Sequence, residues 1–158
     1  MERLVALIIE QGDDLLRDAG LTFPSRAAST VLLLGEGARL SAADLAKVLG
    51  QPHQLVTQRV DLLIELGIVS RAEDSGDARR RILVLTSRGK RQFEKLKARL
   101  VLAEAAFAAL SAEIGCDLSG AALSAMAALG RSSVLDRVRA LEKMRGRSKN
   151  SSAGAKSA

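Results

Sequence analysis

Apolar positions recur at helical spacing along most of the chain, broken once by a short alternating stretch. In residues 2–19, Leu4, Leu7/Ile8, Gln11 and Leu15 keep a three-to-four spacing that predicts a helix, and Gly20 ends it. Pro24 sits where a helix can start, and residues 25–35 read as a short, mostly buried helix that stops at Gly35. Ser41 is a natural N-cap with Asp44 three residues on, a capping box in which Asp replaces Glu. Leu45, Val48 and Leu49 give that helix its apolar face, and Gly50 closes it. Pro52 opens the next helix, 52–66, which Gly67 closes. Two helices about three residues apart, the first ending in Gly, have the spacing of a helix-turn-helix.

After Gly67 the pattern changes from helical to alternating. Residues 68–71 and 81–86 read as two strands, the second rich in branched side chains, around a turn cluster at 74–80. The helical period returns at Ser87. Phe93, Leu96, Leu100, Ala103, Phe107, Leu110 and Ile114 alternate spacings of three and four, a coiled-coil-like seam on a long helix. Cys116-Asp117-Leu118 breaks it. Ser119 caps a last helix, on which Leu123, Met126, Ala127, Gly130, Val134, Val138 and Leu141 share a face. Residues 146–158 are small, polar and basic, a composition expected to be disordered.

Composition supports this outline. Hydrophobic residues are 47% of the 158 and aromatic ones only 2%, so the core must be aliphatic, which suits helices. The predicted class is mainly α with a small β-hairpin wing (α+β). A formal charge of +6 suits a polyanion but does not say which. Its distribution says more. Residues 1–50 carry five basic and seven acidic side chains, residues 71–99 carry ten and four, and a second basic cluster runs from Arg137 to the C-terminus. One cysteine and one histidine exclude an intramolecular disulfide and a zinc finger, so no metal or cofactor is implied. The N-terminal apolar stretch is short and broken by acids, and no run reaches the ~18 apolar residues of a membrane span. A cytoplasmic protein is the expectation. Gly-rich phosphate loops, nucleophile elbows and metalloprotease motifs are absent from the sequence, which leaves an enzyme reading without support.

The chemistry concentrates on the 52–66 helix and the hairpin after it. On a helical wheel Val56, Val60, Leu63 and Leu66 fall on one side, and His53, Gln54, Thr57, Gln58 and Asp61 on the other. The N-terminal half therefore presents amide, hydroxyl and imidazole groups. A helix in the major groove needs such groups to read base edges; an ordinary solvated face looks the same. Arg59 lies within the apolar arc, so its stem is expected to pack and its head to pair with an acid. In the hairpin, Asp77 precedes Arg79, Arg80 and Arg81. Alternation sends Arg79 and Arg81 one way and Arg80 the other, toward a minor groove or phosphates, with Asp77 able to hold a guanidinium fork.

The ordered motifs over residues 40–90 resemble the DNA-binding core of MarR-type transcriptional regulators. They are the Leu40-Ser41 helix start, Val56-Thr57-x-x-Val60-Asp61-x-Leu63, Leu66-Gly67-Ile68-Val69-x-Arg71, Asp77-x-Arg79, and Leu85-Thr86-x-x-Gly89. The position after Thr57, often basic in that family, is Gln58 here. The resemblance implies a winged helix-turn-helix with N- and C-terminal dimerisation helices, binding double-stranded DNA at a palindromic operator. Two recognition helices would enter successive major grooves, with the wing arginines in flanking minor grooves, and a small molecule or an oxidant would relieve repression.

The seam supports the homodimer independently, because a long helix projecting from a small winged domain needs a partner for its apolar side. Residues 1–35 and 87–145 are then the dimerisation region, with Leu4, Ile8, Leu100, Phe107, Leu110, Val134, Val138 and Leu141 as its apolar contacts. Residues 36–86 are the DNA-binding region and 146–158 the basic tail. Two other readings stay open: a winged-helix protein–protein module without DNA binding, and a redox-sensing regulator using Cys116, which has no second cysteine within the chain to resolve it.

Overall fold

Local signals place the helix-turn-helix. In a computed structural model that describes residues 2–73 and 81–154, with side chains through 144, the Ser41 hydroxyl accepts from the Asp44 amide at 3.2 Å, and the Asp44 carboxylate accepts from the Ser41 amide at 2.9 Å. This capping box starts a helix, Ala42–Leu49, that buries Leu45 and Ala46 while Val48 faces solvent. Gly50 takes the left-handed conformation (φ 61°), which a residue with a side chain enters only at a cost, and the chain turns into His53–Glu65. That helix buries Val56, Val60 and Leu63, the side expected from the wheel.

In chain order the elements are α1 (Glu2–Asp18), a 3-10 turn Ser25–Ala27, α2 (Ala28–Gly35), α3 (Ala42–Leu49), α4 (His53–Glu65), β1 (Val69–Glu73), β2 (Arg81–Leu85), α5 (Ser87–Ile114), α6 (Leu118–Arg131) and α7 (Val134–Gly154). The strands pair antiparallel, Val69 opposite Leu85 and Glu73 opposite Arg81. Leu40, ahead of α3, adds a single bridge to Leu83, whose amide donates to the Leu40 carbonyl at 2.9 Å.

The chain divides into two compact units, residues 1–104 and 105–158. The first has a continuous aliphatic core drawn from every one of its elements: Leu16, Val31, Leu34, Leu45, Val56, Val60, Leu63, Ile68, Leu83, Phe93 and Leu96 are all buried. Gly35 lets α2 lie against the Phe93 ring, since a Cβ there would stand 2.2 Å from a ring carbon. The Gln92 carboxamide, buried on α5, accepts from the Thr22 amide at 3.0 Å and donates to the Gly20 carbonyl at 3.2 Å, fixing the α1–α2 connection to α5. The second unit holds the end of α5, then α6 and α7; Leu123, Met126 and Leu129 on α6 and Val134, Leu135, Val138, Leu141 and Met144 on α7 are exposed.

Two expectations change. The single last helix is two. Ser132 is extended, and the Ser133 hydroxyl accepts from the Asp136 amide at 3.1 Å while the Asp136 carboxylate accepts from the Ser133 amide at 3.1 Å, a second capping box that starts α7 at a 67° bend from α6. Asp117, not Ser119, caps α6, accepting from the Gly120 amide at 3.0 Å. α7 runs on to Gly154.

Candidate nucleic-acid interface

The exposed face of α4 carries the residues named from sequence. His53, Gln54, Gln58 and Asp61 are exposed, and Thr57 is half-buried with its hydroxyl donating to the His53 carbonyl at 2.9 Å. That bond occupies the Thr57 proton and leaves the oxygen lone pairs and the methyl group for a partner. Buried Val56, Val60 and Leu63 fix which way this face turns. Arg59 departs from expectation: among the described residues its head pairs with no acid, and Nη1 donates to the side-chain oxygen of Gln51 in the α3–α4 turn. The turn brings Gln51 back beside α4, a juxtaposition that linear spacing does not reveal.

The base of the hairpin is tied to α4. Arg71 on β1 donates to Asp61 on α4 at 2.8 Å, and Arg81 at the start of β2 pairs with Glu73 opposite it at 3.0 Å. Arg81 therefore reaches a partner molecule only in competition with Glu73. Asp77, Arg79 and Arg80 lie outside the described residues. The Leu85-Thr86-x-x-Gly89 motif acquires a mechanical meaning. The Thr86 hydroxyl donates to the Gly67 carbonyl at 2.7 Å and accepts from the Gly89 amide at 2.9 Å, so it caps α5 while holding the end of α4. A Cβ on Gly89 would stand 2.0 Å from the Ile68 carbonyl oxygen. Recognition helix, hairpin and α5 are thus braced together at the Gly67–Ile68 corner.

The residues expected to dimerise divide. Leu4 and Ile8 on α1, Phe107 and Leu110 on α5, and Val134, Val138 and Leu141 on α7 are exposed. Leu100 packs against the chain's own core, as Phe93 and Leu96 do more deeply, so the first half of the α5 seam is used internally. An open cavity of about 510 Å³ lies in the first unit between the end of α2, β2 and the start of α5, with Leu34, Leu83, Leu85 and Phe93 as apolar lining and Arg39, Lys90 and Glu94 as charged lining. Cys116, exposed, sits in the α5–α6 break. Among the described residues no three His, Cys, Asp or Glu side chains gather as metal ligands, and no single helix is long and apolar enough to cross a membrane.

Residues 19–80 match the family model described as "MarR family". No curated protein sequence matches the chain. Among solved structures it is similar to CouR from Rhodococcus jostii RHA1 bound to p-coumaroyl-CoA, at 27% identity over 65% of this chain and 71% of that one, with a TM-score of 0.54. A MarR-family transcriptional regulator from Rhodococcus sp. RHA1 is 25% identical over 67% and 74%, also at 0.54. The S. aureus MepR–DNA complex, at 20% identity over 80% and 93% and a TM-score of 0.63, shares the fold. With its two-stranded hairpin, its polar-faced α4 and this match, residues 19–80 carry the winged helix-turn-helix of the MarR family of DNA-binding transcriptional regulators.

Proposed function

We propose that the chain is a homodimeric, sequence-specific repressor of the cytoplasm that binds a palindromic duplex and releases it in response to a small molecule. The observation that carries this reading is the N-terminal half of α4, where His53, Gln54 and Gln58 stand exposed on a helix whose opposite side is locked into the core. Gln54 and Gln58 have the carboxamide that pairs with adenine, and the Thr57 methyl suits thymine. Arg79, Arg80 and, in competition with Glu73, Arg81 supply the phosphate and minor-groove contacts, with Asp77 holding a guanidinium fork. MepR, of the same fold, is a DNA complex.

Two copies match two half-sites about one helical turn apart. The exposed apolar side chains of α1 and, separately, of α5 and α7 are the surfaces a second copy would cover. The effector reading draws on the p-coumaroyl-CoA complex of CouR and on the open cavity between α2, β2 and α5, whose lining is both apolar and charged.

Anisotropy titration against a duplex from the promoter region of the protein's own gene tests the reading. Affinity should fall steeply with salt, and the Arg79→Ala, Arg80→Ala double variant should lose at least tenfold. Binding to no duplex at any salt concentration would leave a winged-helix protein-interaction module as the function.

A further inference from the structure

Arg59 is placed where a helix of this kind needs an apolar residue. It lies on α4 among buried Val56, Val60 and Leu63, and is itself partly buried. Its Nη1 donates to the Gln51 side-chain oxygen, its Nε is fully enclosed with no acceptor, and no carboxylate of the described residues pairs with it. A guanidinium is charged at every accessible pH. Drawing one partly out of water without a counter-ion is unfavourable, and a leucine or methionine in the same arc would serve the fold better. Among the described residues nothing compensates this charge, and buried polar groups left unsatisfied in this way gather at functional sites.

Gln51 shows where the compensation enters. Arginine has donors only, so the carboxamide must turn its oxygen to the guanidinium and its NH2 group away from it. Gln51 follows Gly50 in the α3–α4 turn, directly before the exposed first turn of the recognition helix. The α4 side chains lean toward the helix N-terminus, which carries the charge of Arg59 in the same direction. The outward NH2 is polarised by the cation behind it, a charge-assisted donor at the point where the backbone of a duplex passes a helix-turn-helix.

We infer that Arg59 and Gln51 form a phosphate clamp at the helix-turn-helix turn, in which a backbone phosphate of bound DNA supplies the counter-charge that no described carboxylate gives Arg59. The clamp rests on the DNA-binding reading. It adds affinity for any duplex sequence, and it gives this chain a cation near the groove although position 58 is Gln.

Two variants test it, by thermal unfolding and by anisotropy with operator and scrambled duplexes across roughly 50 to 200 mM salt. Arg59→Leu should keep or raise Tm, weaken both duplexes several-fold, and reduce the slope of log K against log salt by about one per bound protomer. Gln51→Glu gives Arg59 an internal counter-ion, so Tm should rise while both duplexes bind more weakly. It leaves the Arg59 packing intact and decides the matter even where Arg59→Leu does not fold. An unchanged salt slope in a folded Arg59→Leu, unchanged affinity in Gln51→Glu, or a loss confined to the operator duplex overturns the clamp. If the wild type binds neither duplex, the DNA-binding reading fails first. If it binds both with salt sensitivity and the variants match it, only the clamp fails.

Discussion

The Asp61 carboxylate on the recognition helix accepts from Arg71 on the first wing strand at 2.8 Å, and both side chains are 56% exposed. At that exposure the pair contributes under about 1 kcal/mol to stability. Its larger effect is electrostatic, since it places an acid on the polar face of α4 and occupies an arginine beside it. Asp61→Asn should leave Tm nearly unchanged and tighten binding to any duplex, with a steeper salt dependence, because one negative charge leaves the face and Arg71 is freed. Anisotropy across a salt series checks this. Weaker binding would show instead that the pair's role is to hold the angle between α4 and the wing.

The Gly67–Ile68 corner makes a sharper stability prediction. A methyl group at Gly89 meets the Ile68 carbonyl oxygen at 2.0 Å, whereas one at Gly35 meets the Phe93 ring at 2.2 Å. A ring can swing aside; a carbonyl within the α4–β1 connection cannot. Gly89→Ala should therefore cost about 3 kcal/mol, near the upper end of ordinary overpacking, and Gly35→Ala about 1 to 2 kcal/mol. Urea denaturation of the two variants measures the difference. Equal losses would show that the corner yields as easily as the ring.

What the sequence revealed follows the range of each interaction. The Ser41–Asp44 box and the two-sidedness of α4 depend on neighbours within one or two helical turns, and both were legible. The same Ser-x-x-Asp signal at Ser133–Asp136 marks the start of α7, but continuous apolar spacing through Ser132 concealed it. Periodicity identified Phe93, Leu96 and Leu100 as apolar positions but could not say that they pack on α2 and the rest of the first unit's own core. Arg59 is the clearest case. The wheel set it in the apolar arc, yet its partner is eight residues away across a turn whose path only three dimensions supply.

Acid should loosen the α1–α2 connection. The Asp13 carboxylate accepts from the Ser25 amide at 2.6 Å, and hydrogen bonds from the Ser25 side chain and amide hold its pKa below the ordinary 3.8. A folded-state pKa lower than the unfolded one contributes stability that is full above the unfolded value and is lost as pH falls through the folded value. The contribution is therefore complete at neutral pH and is lost only as pH falls below 3.8 and on through the lower folded-state value. Asp13→Asn should be less stable than wild type at pH 7 by about 1 kcal/mol and should show a flatter stability profile between pH 5 and 3, roughly, with the two proteins converging at the acid end. Parallel profiles would mean that Asp13 contributes no pH-linked stability.

Packing and assembly can be separated on the C-terminal helices. Leu96 is fully buried, so Leu96→Ala should cost about 2 to 5 kcal/mol. Val138 and Leu141 are 43% and 59% exposed. Within one chain, Val138→Glu with Leu141→Glu should leave helix content nearly intact. In a dimer that covers this face, the two carboxylates would be buried without partners on each side of the interface, a penalty of several kcal/mol. Sedimentation should then give the mass of one chain where wild type gives two, and Tm of the wild type should rise with protein concentration while that of the variant should not. Loss of the dimer should also weaken binding to a palindromic duplex far more than to a single half-site, because the second half-site contact is no longer intramolecular. A double variant that keeps the wild-type mass would remove α7 from the dimer interface and leave α1 and the end of α5 to supply it.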